Sequence, residues 1–377
     1  MREGMVRIPS GCAISAIMNV KGVRFNGEAI IKSIACMHER SNGLGGGFAA
    51  YGIYPRFRDL YALHLLYESD RGRIDTESYI REHFVVEHSE SIPTRPMIAI
   101  TDPPKFFRYF VSVKPEALDP LRGEDEAELL VRATLTINNY IKDAFMVSSG
   151  KNMGVFKGVG FPEDIGRYFR LEEYEGYLWT AHGRFPTNTP GWWGGAHPFG
   201  ILDWTVVHNG EVSSYGINKR YLEMFGYHLT LQTDTEVVAY LFDLLHRRQK
   251  VPLELVARVL AAPFWKDIDR MPEEQRAMYK AIRMVYGPAM LNGPFSIIVA
   301  FSGGMLGLND RIKLRPLTCG KKGDFVLMGS EESAIRGIVG ADLDEVWDVR
   351  AGEMSLVRLE EGGVTVGQEL PAPGVCS

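Results

Sequence analysis

The apolar positions along the chain alternate between two periods. Ala13 to Val20 is apolar on both sides of an extended strand, as a sheet covered on both faces requires. A turn at Lys21-Gly22 separates it from a stretch of helical period, Gly27 to Arg40. There Ile30, Ile34 and Met37 share one face, with Ile31 and Ala35 beside them. A glycine-rich run, Gly43 to Gly47, leads into a strand at Phe48 to Ile53. Residues 58–146 read as an inserted α+β unit with strands at 61–67, 85–89, 97–101 and 107–113 and a short helix at 76–84. Its long helix at 124–142 carries Leu129, Ala133, Ile137 and Ile141 in one stripe. Strand signals return at 153–157, 177–182 and 205–208. Val237, Val238, Leu241, Leu244 and Leu245 mark a helix whose start has the Thr233…Glu236 spacing of a capping box. Residues 252–285 are mainly helical, broken at Pro263 and Pro272. Strands at 295–301, 305–308 and 325–329, a helix at 331–339 and a strand at 353–359 complete an α+β order.

Composition narrows the function classes. The chain has 377 residues, enough for one large domain or two modest ones. A net charge of -5 gives no reason to expect nucleic acid, and Arg247-Arg248-Gln249-Lys250 reads as a solvated helix end. The four cysteines, Cys12, Cys36, Cys319 and Cys376, lack the spacing of a zinc or iron–sulfur site, and their scarcity fits a reducing compartment. No metal is expected. The apolar runs are too short to span a bilayer, and Met1 to Gly11 has no apolar core of a secretory signal, so the expected place is the cytoplasm.

Four positions offer chemistry. Cys12 heads the first strand, and a cysteine attacks as its thiolate, which requires a base. No neighbour in sequence is one. If residues 1–11 were removed, the freed α-amine, with a pKa of about 8, would serve. The competing reading is a buried strand cysteine. Arg184 follows a strand; a guanidinium grips a carboxylate through two parallel hydrogen bonds, and Thr187 adds a hydroxyl. A surface ion pair is its alternative. Asn209 and Gly210 end another strand, where an amide and a backbone N–H can converge on an oxyanion; Asn-Gly is also a common hairpin turn. Asp234 opens a helix, as the acceptor for a substrate ammonium or as a plain cap. Gly43 to Gly47 lacks the Gly-Lys-Ser/Thr ending of a phosphate loop and follows a helix rather than a strand, so nucleotide binding is not expected there.

Taken together, the motifs resemble the class II glutamine amidotransferases, a branch of the N-terminal-nucleophile hydrolases, and most of all the amidotransferase domain of glutamate synthase. The resemblance is carried by Cys12 and its strand, and by His38-Glu39-Arg40 with its glycine-rich sequel. It continues through Ala181 to Thr189, Val207-His208-Asn209-Gly210-Glu211 and Thr233 to Val237, then through Asn309 to Pro316 and Gly329-Ser330-Glu331. It implies a four-layer αββα sandwich carrying the inserted subdomain, within residues 12–377. It implies Cys12 as nucleophile, Asn209 and Gly210 as oxyanion donors, Arg184 as the carboxylate clamp, and Asp234 as the ammonium partner, with Thr187 beside Arg184 as a further substrate-binding candidate. The leader 1–11 is expected to be removed, as in some members of the family. Glutamine is then hydrolysed through a Cys12 thioester, with no cofactor. The chain shows no dinucleotide fingerprint, no cysteine cluster and little spare length for a flavin barrel. The ammonia acceptor is therefore expected on a separate flavin-dependent synthase subunit, in a homo- or hetero-oligomer. The alternatives are an amidotransferase subunit for another acceptor, such as an N-methylglutamate synthase, and an uncleaved, non-catalytic module.

Overall fold

The Ala13–Asn19 strand is buried along its whole length, and its two faces meet different layers. Ile14, Ala16 and Met18 point into one apolar cluster, Ala13 and Ile17 into another. The reason is its place at the centre of a seven-stranded antiparallel sheet. Across that sheet run Glu345–Asp348, Thr318–Lys322, Phe325–Gly329, Ala13–Asn19, Leu178–Gly183, Gly46–Tyr51 and Met153–Gly158. The structure, a computed structural model, describes residues 11–185 and 191–360.

A second antiparallel sheet has five strands, in the order Phe199–Ile201, Trp204–Gly210, Phe295–Phe301, Gly304–Asn309 and Met354–Arg358. Val207, Ile298, Ala300 and Met305 from this sheet share the cluster of Ile14, Ala16 and Met18, so the sheets pack face to face. Helices Glu28–Ala35, Pro162–Tyr168 and Glu332–Val339 cover the outer face of the first sheet, where Ile30, Ile34, Ile165 and Ile335 pack with Ile17 and Phe48. Helices Asp234–Phe242 and Leu253–Leu260 cover the second, with Val237, Leu241 and Val256 against Val206, Ile297 and Leu308. The layers run helix, sheet, sheet, helix: an αββα sandwich of α+β class. A separate four-stranded sheet lies within residues 61–148, in the order Phe84–Ser91, Lys105–Val113, Tyr61–Tyr67 and Ala144–Ser148. Among the described residues no helix is long and apolar enough to cross a membrane.

Several local expectations are corrected. The helix expected at 76–84 is Asp70–His83, begun by Ser69, whose hydroxyl accepts from Gly72 N–H at 3.1 Å. Its first turns are polar and held by Arg71–Asp75 and Arg73–Glu77 pairs rather than by an apolar stripe. No strand forms at 97–101, a segment flanked by Pro93, Pro96, Pro103 and Pro104, which cannot continue a ladder on either side. The helix expected at 27–40 ends at Ala35, with a single 3-10 turn at His38–Arg40. The Thr233…Glu236 capping box is absent. Thr233 makes no side-chain cap, and the Glu236 carboxylate accepts from Thr230 and Leu231 N–H at 3.2 and 3.0 Å. The strands Thr318–Lys322 and Glu345–Asp348 and the helices Pro162–Tyr168 and Tyr215–Glu223 were not expected.

Candidate active site

Cys12 and Arg184 are brought together by the ladder between the Ala13–Asn19 and Leu178–Gly183 strands. Ala13 pairs with Gly183, so each of the two residues continues its strand by one position at the same end. Phe185 N–H donates to Cys12 Sγ at 3.4 Å. The Arg184 backbone is clasped by the glycine-rich stretch: its N–H donates to Gly45 O at 2.8 Å, and its carbonyl accepts from Asn42 N–H and Ser41 Oγ, each at 3.2 Å. Gly45 has φ +157, and a Cβ there would sit 3.1 Å from Arg184 Cδ. The glycine run therefore packs the arginine, a role that its sequence alone did not suggest.

Asn209 and Gly210 reach the same region from the other sheet, at the end of Trp204–Gly210. Asn209 is fully buried, and its Nδ2 lies 3.2 Å from Ser330 Oγ. Gly210 has φ +135, and a Cβ there would approach Pro294 O to 1.9 Å. Only glycine fits. Gly210→Ala is expected to cost about 1–3 kcal/mol of stability through overpacking and backbone strain, and most of the activity. Urea unfolding with a glutaminase assay checks this; an unchanged midpoint would count against the strain.

Asp234 is the first residue of its helix, but it does not cap it. Its Oδ2 accepts from Val212 N–H at 2.7 Å, two residues beyond Gly210, while Oδ1 lies 3.8 Å from His208 Nδ1. The carboxylate thus ties the segment after Gly210 to the helix start and leaves one oxygen toward His208. Burial lowers the His208 pKa below its usual value, and that of His182 to about 3, so both imidazoles are neutral.

Electrostatics link the group. Burial pushes the Cys12 thiol above its ordinary pKa. The Phe185 N–H, Arg184 and Arg315 pull it down, and Asp234 pushes it up. Arg184 is itself 4% exposed and loses basicity through desolvation, which Cys12 and Asp234 oppose. Thr187 lies outside the described residues.

Four further residues belong to the candidate site. Arg40 Nε donates to Cys12 O at 3.3 Å, while its Nη1 pairs with Glu331 at 2.9 Å. Arg315 reaches the same corner: a Cβ on Gly11 would lie 3.3 Å from Arg315 Nη1 and 3.4 Å from Arg40 Nη2. Asp310 shapes the loop that presents Arg315, accepting from Phe295, Ile312 and Leu314 N–H at 3.2, 2.9 and 2.9 Å. Ser330 accepts from Ile14 N–H at 3.1 Å. All four stand in motifs visible in the sequence, but their roles depend on the meeting of distant segments.

Lys157, 2% exposed, donates to Gly194 O at 2.9 Å, and burial lowers its pKa from 10.5 to about 7. Between those values the unfolded chain holds the extra proton, so this site's contribution to stability rises with pH from about 7 to about 10. Lys157→Met removes the term. Its stability relative to wild type should be greatest at or below pH 7 and fall toward pH 10, by on the order of 4 kcal/mol at most. Melting curves across that range test this; a pH-independent difference would refute it.

Among the described residues no group of three or more His, Cys, Asp or Glu could hold a metal ion. The geometry joins a thiol, a guanidinium, a carboxylate and a carboxamide, which suits a small zwitterion carrying an amide.

Comparison with known proteins agrees at the level of the family. The family "Glutamine amidotransferases class-II" matches residues 98–373. The chain belongs to the class II glutamine amidotransferases, enzymes of the N-terminal-nucleophile type whose domain takes glutamine as substrate. An uncharacterized protein of Archaeoglobus fulgidus is 52% identical over 98% of this chain and 99% of its own length. An amidophosphoribosyltransferase of Methanocaldococcus jannaschii is 24% identical over 58% of this chain, which spans 40% of that protein. The glutamate synthase [NADPH] large chain of Bacillus subtilis is 25% identical over 60% of this chain, which spans 16% of it.

Proposed function

We propose that the chain is a glutaminase subunit, matured by removal of residues 1–11, that feeds ammonia to a synthase on another polypeptide. Residues 58–146 are an inserted subdomain of the catalytic domain, residues 12–377. Arg184, with Thr187, grips the glutamine α-carboxylate, and Asp234 accepts from its ammonium. Cys12 Sγ attacks the side-chain amide carbon while the Cys12 α-amine takes the thiol proton. Asn209 and the Gly210 N–H hold the oxyanion. The amine returns its proton to the leaving nitrogen, the C–N bond breaks and ammonia departs. Water then cleaves the thioester to glutamate and the free thiol. The observation that supports this reading most is the convergence of Cys12, Arg184 and Asp234 within one electrostatic neighbourhood.

The acceptor is a flavin-dependent glutamate synthase subunit that aminates 2-oxoglutarate. The 25% identity to the glutamate synthase large chain supports this. A phosphoribosyl acceptor is the second reading, favoured by 24% identity to the amidophosphoribosyltransferase over a similar share of the chain. Treatment of natively expressed protein with diazo-oxo-norleucine, followed by mass spectrometry, tests the maturation. The expected product begins at Cys12 and carries the label on its sulfur. Glutaminase activity from protein that keeps residues 1–11 would refute the proposal. Subunits that co-purify with the chain identify the acceptor.

A further inference from the structure

The Ser330 hydroxyl stands where three segments meet. It follows the Phe325–Gly329 strand of the seven-stranded sheet and extends that strand's ladder with the nucleophile strand by substituting a side chain for a backbone acceptor. Ser330 N–H donates to Ile14 O at 3.0 Å, and Ile14 N–H donates to Ser330 Oγ at 3.1 Å. From the opposite sheet, the Asn209 carboxamide lies 3.2 Å away. With Asn209 Nδ2 as the near atom, Ser330 Oγ receives two donors while its own hydrogen has no acceptor among the described residues. Asn209 Oδ1, fully buried, then has no hydrogen-bond partner either, and it faces Gly11, 3.8 Å from where a Cβ on that residue would stand.

A hydroxyl carries one hydrogen, and the two ends of a carboxamide are nearly the same shape. Half a turn of the Asn209 amide satisfies both groups. Ile14 N–H donates to Ser330 Oγ, and Ser330 O–H donates to Asn209 Oδ1. The turn recovers a buried acceptor that would otherwise be orphaned, and the chain of bonds polarises in one direction. It also brings the two Nδ2 hydrogens to the side where Gly11 and Cys12 lie.

We infer that Ser330 is a positioning residue for the reaction: its hydroxyl, held by the nucleophile strand, fixes the Asn209 amide with its nitrogen toward the oxyanion. The inference rests on the assignment of Asn209 to the oxyanion site. Ser330 touches no substrate atom and acts through Asn209. Without it the amide is free to present oxygen to the developing negative charge, which repels rather than stabilises.

The test uses the matured enzyme and four forms: wild type, Ser330→Ala, Asn209→Ala and the double variant. Each is measured for kcat and KM on glutamine. Each is also measured for inhibition by glutamate and by glutamate γ-semialdehyde. Cys12 Sγ adds to the aldehyde carbon, and the thiol proton ends on the former carbonyl oxygen, giving a thiohemiacetal that needs the oxyanion donors. Ser330→Ala should lower kcat and semialdehyde affinity together by about tenfold or more, with KM and glutamate affinity nearly unchanged. In the Asn209→Ala background the same change should cost nothing further. Losses that multiply in the double variant, or equal weakening of semialdehyde and glutamate, would overturn the role of Ser330 while leaving Asn209 in place. A neutral Asn209→Ala would instead overturn the oxyanion assignment and the role of Ser330 with it. Should Ser330→Ala fail to fold, Ser330→Cys, similar in volume and a weak donor, carries the same comparison.

Discussion

Cys12→Ala is expected to reduce glutamine hydrolysis by about a millionfold, the scale on which removal of a nucleophile silences covalent hydrolases. The loss should fall on chemistry and spare the fold. Cys12 precedes the first strand rather than packing within it, it is half-buried, and the bond it receives from Arg40 goes to its backbone carbonyl. Alanine keeps that carbonyl and, in the matured form proposed above, the α-amine. Arg184 and Asp234 also remain, so the variant should still bind glutamine and hold it unreacted. Cys12→Ser tests the same point more finely. A hydroxyl is far harder to deprotonate than a thiol, and the α-amine is matched to the thiol. Serine should therefore be nearly as inactive as alanine. Ammonia release measures the loss, and calorimetry with glutamine measures the retained binding. Release above about a thousandth of the wild-type rate from Cys12→Ala would remove Cys12 from the mechanism, since binding and the oxyanion site alone leave only a residual of that size or less.

Much of this site is legible in the sequence, for a physical reason. Cys12, Arg184, Asn209, Gly210 and Asp234 each stand at the end of a strand or the start of a helix, where periodicity breaks and a polar residue is conspicuous. The strands that carry them are the apolar ones, buried on both faces by two layers each. What periodicity does not report is how separate strand ends meet. The pairing of Ala13 with Gly183 makes Cys12 and Arg184 neighbours, and nothing local in either segment encodes that register. Ser330 and Arg315 were visible only as members of motifs, because each gains its meaning from a partner more than a hundred residues away in sequence. The glycine run lacks the ending of a phosphate loop, but its small residues still allow close approach. The approach proves to be that of Arg184. The capping box failed for a related reason: Glu236 has better donors in Thr230 and Leu231, which the preceding loop brings to it. Strands such as Glu345–Asp348 escaped because a polar edge strand lacks the apolar signature of a central one.

Arg184→Ala and Asp234→Asn are expected to share one defect and differ in another, and the difference separates a substrate clamp from a structural pair. Truncating one side of a buried, hydrogen-bonded charge pair costs about 2–5 kcal/mol, so loss of the guanidinium should reduce kcat/KM for glutamine by roughly a hundred- to a thousandfold. Arg184→Lys should recover little of it, because an ammonium cannot form two parallel bonds to a carboxylate. Asp234→Asn removes the charge proposed to face the substrate ammonium and should also weaken glutamine binding. The thiol distinguishes the two. Arg184 draws the Cys12 pKa down and Asp234 drives it up. Alkylation of Cys12 by iodoacetamide, which needs no substrate, should therefore require higher pH in Arg184→Ala and lower pH in Asp234→Asn. A positively charged neighbour favours the thiolate and a negative one disfavours it, so the opposed signs follow directly from the placement of the two groups around the sulfur. If both variants shifted the alkylation profile in the same direction, the change would reflect a general opening of the site. The electrostatic neighbourhood on which the proposed mechanism rests would then be wrong.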